Sequence, residues 1–263
     1  MYTFDYQRPA SREAALAAAQ GDARFLAGGQ SLVQAMRLRL SATERMVDLG
    51  GIADLAGITV DAQQVTIGAM TTHAAVAASG DVRRAIPALA ELAGNIGDPS
   101  VRNMGTLGGS IANSDPAACY PSALLALDAT VHTNKRQIAA ASFFTGLYET
   151  ALDAGELVVS VSFPIPKRAA YMKYRQPASH FALVGVFVSE GAGGVRVAVT
   201  GAGPFVFRAK ELEAALGKQF TPDALNGITI AADNLNTDMH GTAAYRAAMV
   251  TVMAQRAVAK AIA

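Results

Sequence analysis

Ala27-Gly28-Gly29-Gln30-Ser31 and, well downstream, Thr106-Leu107-Gly108-Gly109-Ser110 are two glycine-rich loops, each expected between a strand and a helix. Paired glycines let a backbone approach a ligand with no Cβ in the way, and they accept positive φ. Successive N–H groups in such a turn can converge on an anion, and a helix starting behind them adds the positive end of its dipole. Each loop ends in a small hydroxyl residue, Ser31 or Ser110, able to donate to a phosphate oxygen. Neither contains a lysine, so the pair points to a resident diphosphate, and hence a dinucleotide, rather than a phosphate in transit. Taken singly, either glycine pair is equally a plain tight turn. The repetition of context and hydroxyl is what favours the anion.

Outward from the loops, local signals lay out the rest of the chain. Ser11-Arg12-Glu13-Ala14 reads as a capped helix start, and its alanine-rich continuation stops at Gly21. Residues 24–27 form a short strand running into the first loop, apolar residues at 32, 33, 36 and 40 predict a helix behind it, and residues 46–49 form another strand. That order describes a small α/β unit. Residues 58–60 and 65–69 alternate around a polar turn and predict a hairpin. Helices are expected over 72–78 and 87–93, followed by an irregular stretch at 94–99 that leads into the second loop. Residues 121–127 predict a buried helix, and 130–132 and 157–163 predict strands, the last ended by Pro164 and Pro166. Beyond these prolines, strand-like runs at 170–174, 182–189 and 195–200 give way to helical runs near 209–216 and 243–262. The expected architecture is α+β, with a boundary near Ile165. It divides the chain into residues 1–164, in subdomains of about 1–52 and 53–164, and residues 165–263.

Bulk properties exclude several functions. The 263 residues are 51% hydrophobic, with 22 Lys plus Arg against 21 Asp plus Glu, a balance unlike a nucleic-acid footprint. No run approaches the ~18 apolar residues of a membrane span, and the N-terminus lacks the pattern of a secretory leader. A cytoplasmic protein is the default expectation, and export in company with a signal-bearing partner stays open. Cys119 is the single cysteine, so no internal disulfide or cysteine-built metal cluster can form. His73, His132, His180 and His240 show no metal-ligand spacing, and no metal site is expected.

Other motifs fail on inspection. Gly201-Ala202-Gly203 has Val206 where a nicotinamide fingerprint needs its third glycine, and reads as a strand-end turn. Gly217-Lys218 is followed by Gln219, so there is no Walker A sequence. Ser31 and Ser110 each lack the last glycine of a nucleophile elbow, and no catalytic nucleophile is assigned. Asn113-Ser114-Asp115-Pro116 is a turn in isolation. Beside a dinucleotide, Asn113 and Asp115 could bond ribityl or ribose hydroxyls.

These residues resemble a known family. Ala27-Gly28-Gly29-Gln30-Ser31-Leu32, with Met36-Arg37-Leu38-Arg39-Leu40 behind it, is similar to the first FAD loop of molybdenum hydroxylase flavoprotein subunits. These are the medium subunits of carbon monoxide dehydrogenase type, related to the flavin domain of xanthine dehydrogenase. Val101 to Ser110, then Asn113-Ser114-Asp115-Pro116-Ala117-Ala118, resembles the second loop. Pro164-Ile165-Pro166, Lys173-Tyr174-Arg175 and Phe207-Arg208 extend the likeness along the chain.

The resemblance implies a vanillyl-alcohol-oxidase (PCMH) type fold, with two small α/β subdomains clasping FAD and a C-terminal antiparallel sheet with helices. It implies that Ala27, Gly28, Gly29, Gln30, Ser31 and Leu32, with Thr106, Gly108, Gly109 and Ser110, hold the pyrophosphate. Asn113 and Asp115 would lie near the sugar-like chain, Leu157 would offer backbone contacts, and Lys173 would stand at the isoalloxazine edge, where a cation favours the anionic reduced flavin. His180-Phe181 falls where a ring could shield the flavin face. Cys119 stands where the xanthine dehydrogenase branch has an aspartate; a thiol cannot supply that acceptor, and a buried free cysteine is the plain reading.

The implied function is electron relay. A molybdopterin large subunit oxidises substrate, a small subunit with two [2Fe-2S] clusters passes electrons to this FAD, and the assembly is a dimer of heterotrimers. One cysteine cannot hold such a cluster, so the iron belongs to another chain. Carbon monoxide, purines, aldehydes and aromatic acids all remain open as substrates, as do NAD and quinone as acceptors. The competing reading is a free-standing FAD-dependent oxidase or reductase of the same fold.

Overall fold

Three units pack together in the computed structural model, which describes residues 1–263. The first contains β1 (Asp5–Gln7), α1 (Arg12–Ala18), β2 (Ala23–Leu26), α2 (Leu32–Arg37) and β3 (Arg45–Asp48). Its strands lie parallel in the order β1-β3-β2. Ser11 caps α1 by accepting from the Ala14 N–H at 3.2 Å. The small core of this unit (Ala15, Val47, Leu49, Ile52, Leu55) also takes in Leu157 from far along the chain, which fastens the first unit to the second.

The second unit begins with β4 (Ile58–Val60) and β5 (Gln64–Gly68). A helical excursion follows: α3 (His73–Ala78), α4 (Gly80–Ala85), α5 (Pro87–Gly94), α6 (Pro99–Met104), α7 (Leu107–Asn113) and α8 (Tyr120–Ala126). The chain then returns through β6 (Thr130–Thr133), β7 (Gln137–Ala139), α9 (Ala140–Phe143), the small β8 (Phe144–Gly146) and β9 (Glu149–Thr150) pair, and β10 (Val158–Pro164). The sheet order is β4-β5-β10-β6-β7, antiparallel throughout. Its inward residues Val65, Ile67, Val131, Val161 and Phe163 meet Leu89, Leu92, Leu107 and Ile111 of the helices in one apolar core.

The third unit is β11 (Arg168–Arg175), β12 (Ala182–Gly191), β13 (Gly194–Thr200), β14 (Phe207–Arg208), α10 (Lys210–Lys218) and α11 (Ala243–Ile262), with the strands antiparallel in chain order. Period-two alternation splits β12 between two cores. Val184, Val186 and Val188 pack with Val250, Met253 and Ala257 of α11, whereas Phe187 turns to the core of the second unit. The strand-end turn at Gly201, at φ +81, ties this sheet back to the second unit. The Gly201 N–H donates to the Pro116 carbonyl at 2.7 Å, and the Thr200 hydroxyl donates to the carbonyls of Pro116 and Ala118. No helix is long and apolar enough to cross a membrane.

Two expectations change. The 94–99 stretch is not wholly irregular: Asp98 accepts from the Val101 N–H at 3.0 Å, Pro99 takes the first helical position, and α6 results. Consequently no strand precedes the second glycine loop. Helix α6 does, and Gly108 and Gly109 lie inside the first turn of α7 rather than in a loop before it.

Candidate cofactor site

Between the three units lies a cavity of about 620 Å³, lined by residues from each of them. The first loop supplies Ala27, Gly28, Gly29, Gln30, Ser31 and Leu32; the second supplies Thr106, Gly108, Gly109 and Ser110. Asn113, Asp115, Leu157 and Lys173 complete the set expected from sequence, and all of them border this space.

The two loops touch. A Cβ built on Gly28 would stand 1.9 Å from the Met104 carbonyl oxygen and 2.8 Å from the Gly105 Cα, so only glycine allows the approach. A Cβ on Gly109 would be 3.3 Å from the Ala27 Cβ. In the first loop Gly29 sits at φ +69, and the N–H groups of Gly28, Gly29, Gln30 and Ser31 have no acceptor within the chain. With its amide turned to satisfy its surroundings, Gln34 donates to the carbonyls of Gly29 at 2.8 Å and Gln30 at 3.1 Å. The carbonyls of Gly29 and Gln30 are thereby bound while the amides of residues 28–31 stay free.

The second loop is wired differently. The Leu107 N–H donates to the Thr71 carbonyl and the Gly108 N–H to the Ala69 carbonyl. The Gly109 N–H donates to Thr106 Oγ1 at 3.1 Å, and the Ser110 N–H to the Thr106 carbonyl. Its amides from Leu107 to Ser110 are consumed by the fold, which leaves the hydroxyls of Thr106 and Ser110 as side-chain donors without an acceptor; Ser31 offers the same group on the first loop.

The remaining expected residues vary in what they can still offer. Asp115 Oδ1 accepts from the Ala117 N–H at 2.8 Å and Oδ2 from the Tyr148 hydroxyl at 3.4 Å. Asn113 ends α7, just before Ser114 in the left-handed region at φ +48, and its amide has no partner within the chain. Leu157 has its N–H committed to Asn134 Oδ1 at 2.7 Å, and its carbonyl accepts from the Asn134 N–H at 3.0 Å. A further backbone contact there is confined to the second lone pair of that carbonyl. Lys173 donates from Nζ to the Asn95 carbonyl at 2.6 Å and the His180 carbonyl at 3.0 Å, with Cys119 Sγ at 3.6 Å. Cys119 itself is buried and free.

Sequence reading missed four charged or titratable residues in the wall, Arg24, His73, Asp98 and Glu156, of which His73 and Glu156 are buried. Glu156, with its side chain wholly buried, takes two guanidinium hydrogen bonds from Arg136, one from the Asp153 N–H and one from the Thr133 hydroxyl. Chiefly through Arg136, these hold its carboxyl down at about 2 against the opposing effect of burial. His73 lies against Gly105, whose added Cβ would be 2.6 Å from Nε2, and its own N–H donates to the Gly105 carbonyl at 3.0 Å. Burial first, and Arg102 second, lower this imidazole to about 4, so it is neutral at pH 7. An acid beside its Arg and Thr partners, and a His at the first position of a helix capped by Thr72, carry no spacing signal that sequence reasoning could have used. Only the three-dimensional closure of the wall reveals them.

Comparison with known proteins identifies the family of the chain. Residues 2–166 match the family described as the FAD binding domain in molybdopterin dehydrogenase, and residues 169–261 match the CO dehydrogenase flavoprotein C-terminal domain. The chain is 34% identical to the carbon monoxide dehydrogenase medium chain of Hydrogenophaga pseudoflava, over 97% of this chain and 95% of that one. It is 33% identical to the nicotine 6-hydroxylase medium subunit of Paenarthrobacter nicotinovorans, over 97% and 96%. A solved structure of carbon monoxide dehydrogenase from Hydrogenophaga pseudoflava, lacking the Mo-pyranopterin moiety of the molybdenum cofactor, superposes with a TM-score of 0.91 at 35% identity, covering 99% of this chain and 98% of that one. The chain therefore belongs to the FAD-binding medium subunits of the molybdenum hydroxylase family, with a flavoprotein C-terminal domain of the CO dehydrogenase kind.

Proposed function

We propose that this subunit relays electrons from a [2Fe-2S] small subunit to an external acceptor, beside a molybdopterin large subunit, in a cytoplasmic dimer of heterotrimers. Residues 1–164 would hold the FAD and residues 165–263 would close over it. The observation that supports the reading best is the row of unpaired amides at Gly28, Gly29, Gln30 and Ser31, facing a second glycine turn across one cavity. Half-buried backbone donors such as those of Gly28, Gly29 and Gln30 seldom stay unpaired, and a diphosphate would supply the acceptors they lack. The residues therefore fit FAD.

When bound, FAD would supply a carrier able to take electrons one at a time and give them up in pairs. The residues of this chain bind and orient it. The first-loop amides and the Ser31 and Ser110 hydroxyls would donate to the pyrophosphate. Asn113 and Asp115 would meet the hydroxyls of the sugar-like chain. The glycines at 28 and 108 let the two segments pack closely, against Met104 and Ala69 respectively. The two relatives above belong to enzymes named for carbon monoxide and for nicotine, yet their identity to this chain is nearly equal. This similarity supports a reading in which specificity for the organic or gaseous substrate lies in the large subunit.

The test is purification of the native complex through a tag on this chain, followed by flavin absorbance and iron and molybdenum analysis. The proposal expects one flavin per chain with stoichiometric iron and molybdenum. Flavin without either metal would favour the free-standing oxidase or reductase.

A further inference from the structure

We propose that Lys173 is a positioning residue whose ammonium clamps the 176–181 turn of the C-terminal sheet onto the FAD-binding unit at the mouth of the cavity. An ammonium has three donors and no acceptor. At Lys173 each donor finds a partner in the chain: the Asn95 carbonyl at 2.6 Å, the His180 carbonyl at 3.0 Å and Cys119 Sγ at 3.6 Å. None of these partners is a carboxylate, and Lys173 takes part in no ion pair. An uncompensated, half-buried cation is expensive to keep. What it achieves here is to tie the turn after β11 to the end of α5 and to the segment before α8.

The anchor is rigid. Asn95 closes α5, its N–H donating to the Glu91 and Leu92 carbonyls and its side chain to the Glu91 carbonyl. The clamped segment is self-contained but strained. In the turn between β11 and β12 the Gln176 N–H donates to the Phe181 carbonyl, and Gln176 Oε1 accepts from the N–H groups of Ala178 and Ser179. His180, whose carbonyl Lys173 grips, lies in the left-handed region at φ +61. The next residue, Phe181, borders the cavity and leaves 55% of its surface exposed. Lys173 thus fixes where an aromatic ring stands over the opening. With its donors spent, it has none left for a bound ligand, and it acts through this turn.

The clamp rests on contacts within the chain; its consequence for FAD rests on the function proposed above. The chain contains no tryptophan, so Phe181→Trp creates a single fluorescent reporter. In that background, full-length protein with Lys173 is compared with Lys173→Met and, should that variant not fold, with Lys173→Gln. Without flavin, the Met variant should show lowered Trp anisotropy and about tenfold or faster hydrogen exchange at 179–181, while β12 exchanges as before. With FAD added, reporter emission should be quenched in the parent and recover several-fold in the variant. Unchanged anisotropy and exchange at the turn would overturn the clamp. A parent that takes up no FAD at all would instead count against the proposed function, and the flavin-free measurements would still decide the clamp.

Discussion

The two Gly-Gly-x-Ser or Gly-Gly-Ser stretches look alike on paper and do opposite work in the fold. At the first, the amides of Gly28 to Ser31 are left unpaired, and the glycines exist so that the backbone can turn and abut Met104. At the second, the amides from Leu107 to Ser110 are all donated inward, and Gly108 is there because its Cβ would stand 2.5 Å from that of Ala69. One loop is a donor array; the other is a packed helix start that serves as its backstop. A glycine pair therefore marks close approach in both places, and a row of free amides in one.

Gly28 joins the two and should be the most sensitive position. Gly28→Ala places a methyl group on the Met104 carbonyl, backbone against backbone, with no flexible side chain to yield. It should cost about 3 kcal/mol and purify without flavin. Urea unfolding and the flavin spectrum measure both. A variant of normal stability with its flavin intact would break the idea that the loops abut.

The backstop should also titrate where the donor array does not. His73 holds the Gly105 carbonyl just ahead of the second loop, and its pKa is lowered to about 4 from an ordinary 6.5. Between those values the unfolded chain binds the proton and the folded chain does not, so stability falls as pH drops from 6.5 to 4 and is unaffected above. The loss can reach ~3 kcal/mol. Urea midpoints across this range for parent and His73→Asn should converge toward acid pH; parallel curves would show that the histidine is not coupled to folding.

A third pair of variants separates the two roles directly. Gly108→Ala should lower stability by about 2 kcal/mol through its clash with Ala69, with flavin loss only as a consequence. Gly29→Ala has a left-handed backbone to maintain, at about 1 kcal/mol, and acts within the free-amide row, so its flavin affinity should fall more than its stability. Equal ratios of the two effects in both variants would erase the distinction.

How much of this was legible in sequence follows from what each feature depends on. The β2–loop–α2–β3 order, the 58–68 hairpin, the long C-terminal strands and α11 carry their own periodicity and punctuation, and were readable. Strand β1 is three exposed residues whose existence depends on β3 beside it, and helix α6 announces itself only through Asp98-Pro99. Which amides are free could not be read, because the acceptors that silence the second loop, the carbonyls of Ala69 and Thr71, belong to the end of another strand. The commitment of the Leu157 N–H to Asn134 and of the Lys173 ammonium to two distant carbonyls was hidden for the same reason.

The smallest effects expected are also the cleanest comparison, because the two residues occupy the same helix position. Thr106 is the N-cap of α7 and accepts from the Gly109 N–H; Ser31 is the N-cap of α2 and makes no such bond. Thr106→Ala should therefore cost about 1 kcal/mol of stability by orphaning a donor. Ser31→Ala should change stability by no more than a few tenths, roughly the range of an uninvolved surface site. If the Ser31 hydroxyl serves the cofactor, its removal should instead appear as weaker flavin retention in dilution or fluorescence-release measurements. A Ser31→Ala protein as destabilised as Thr106→Ala would mean that the first loop is also a capped helix start, and the division of labour between the glycine pairs would not hold.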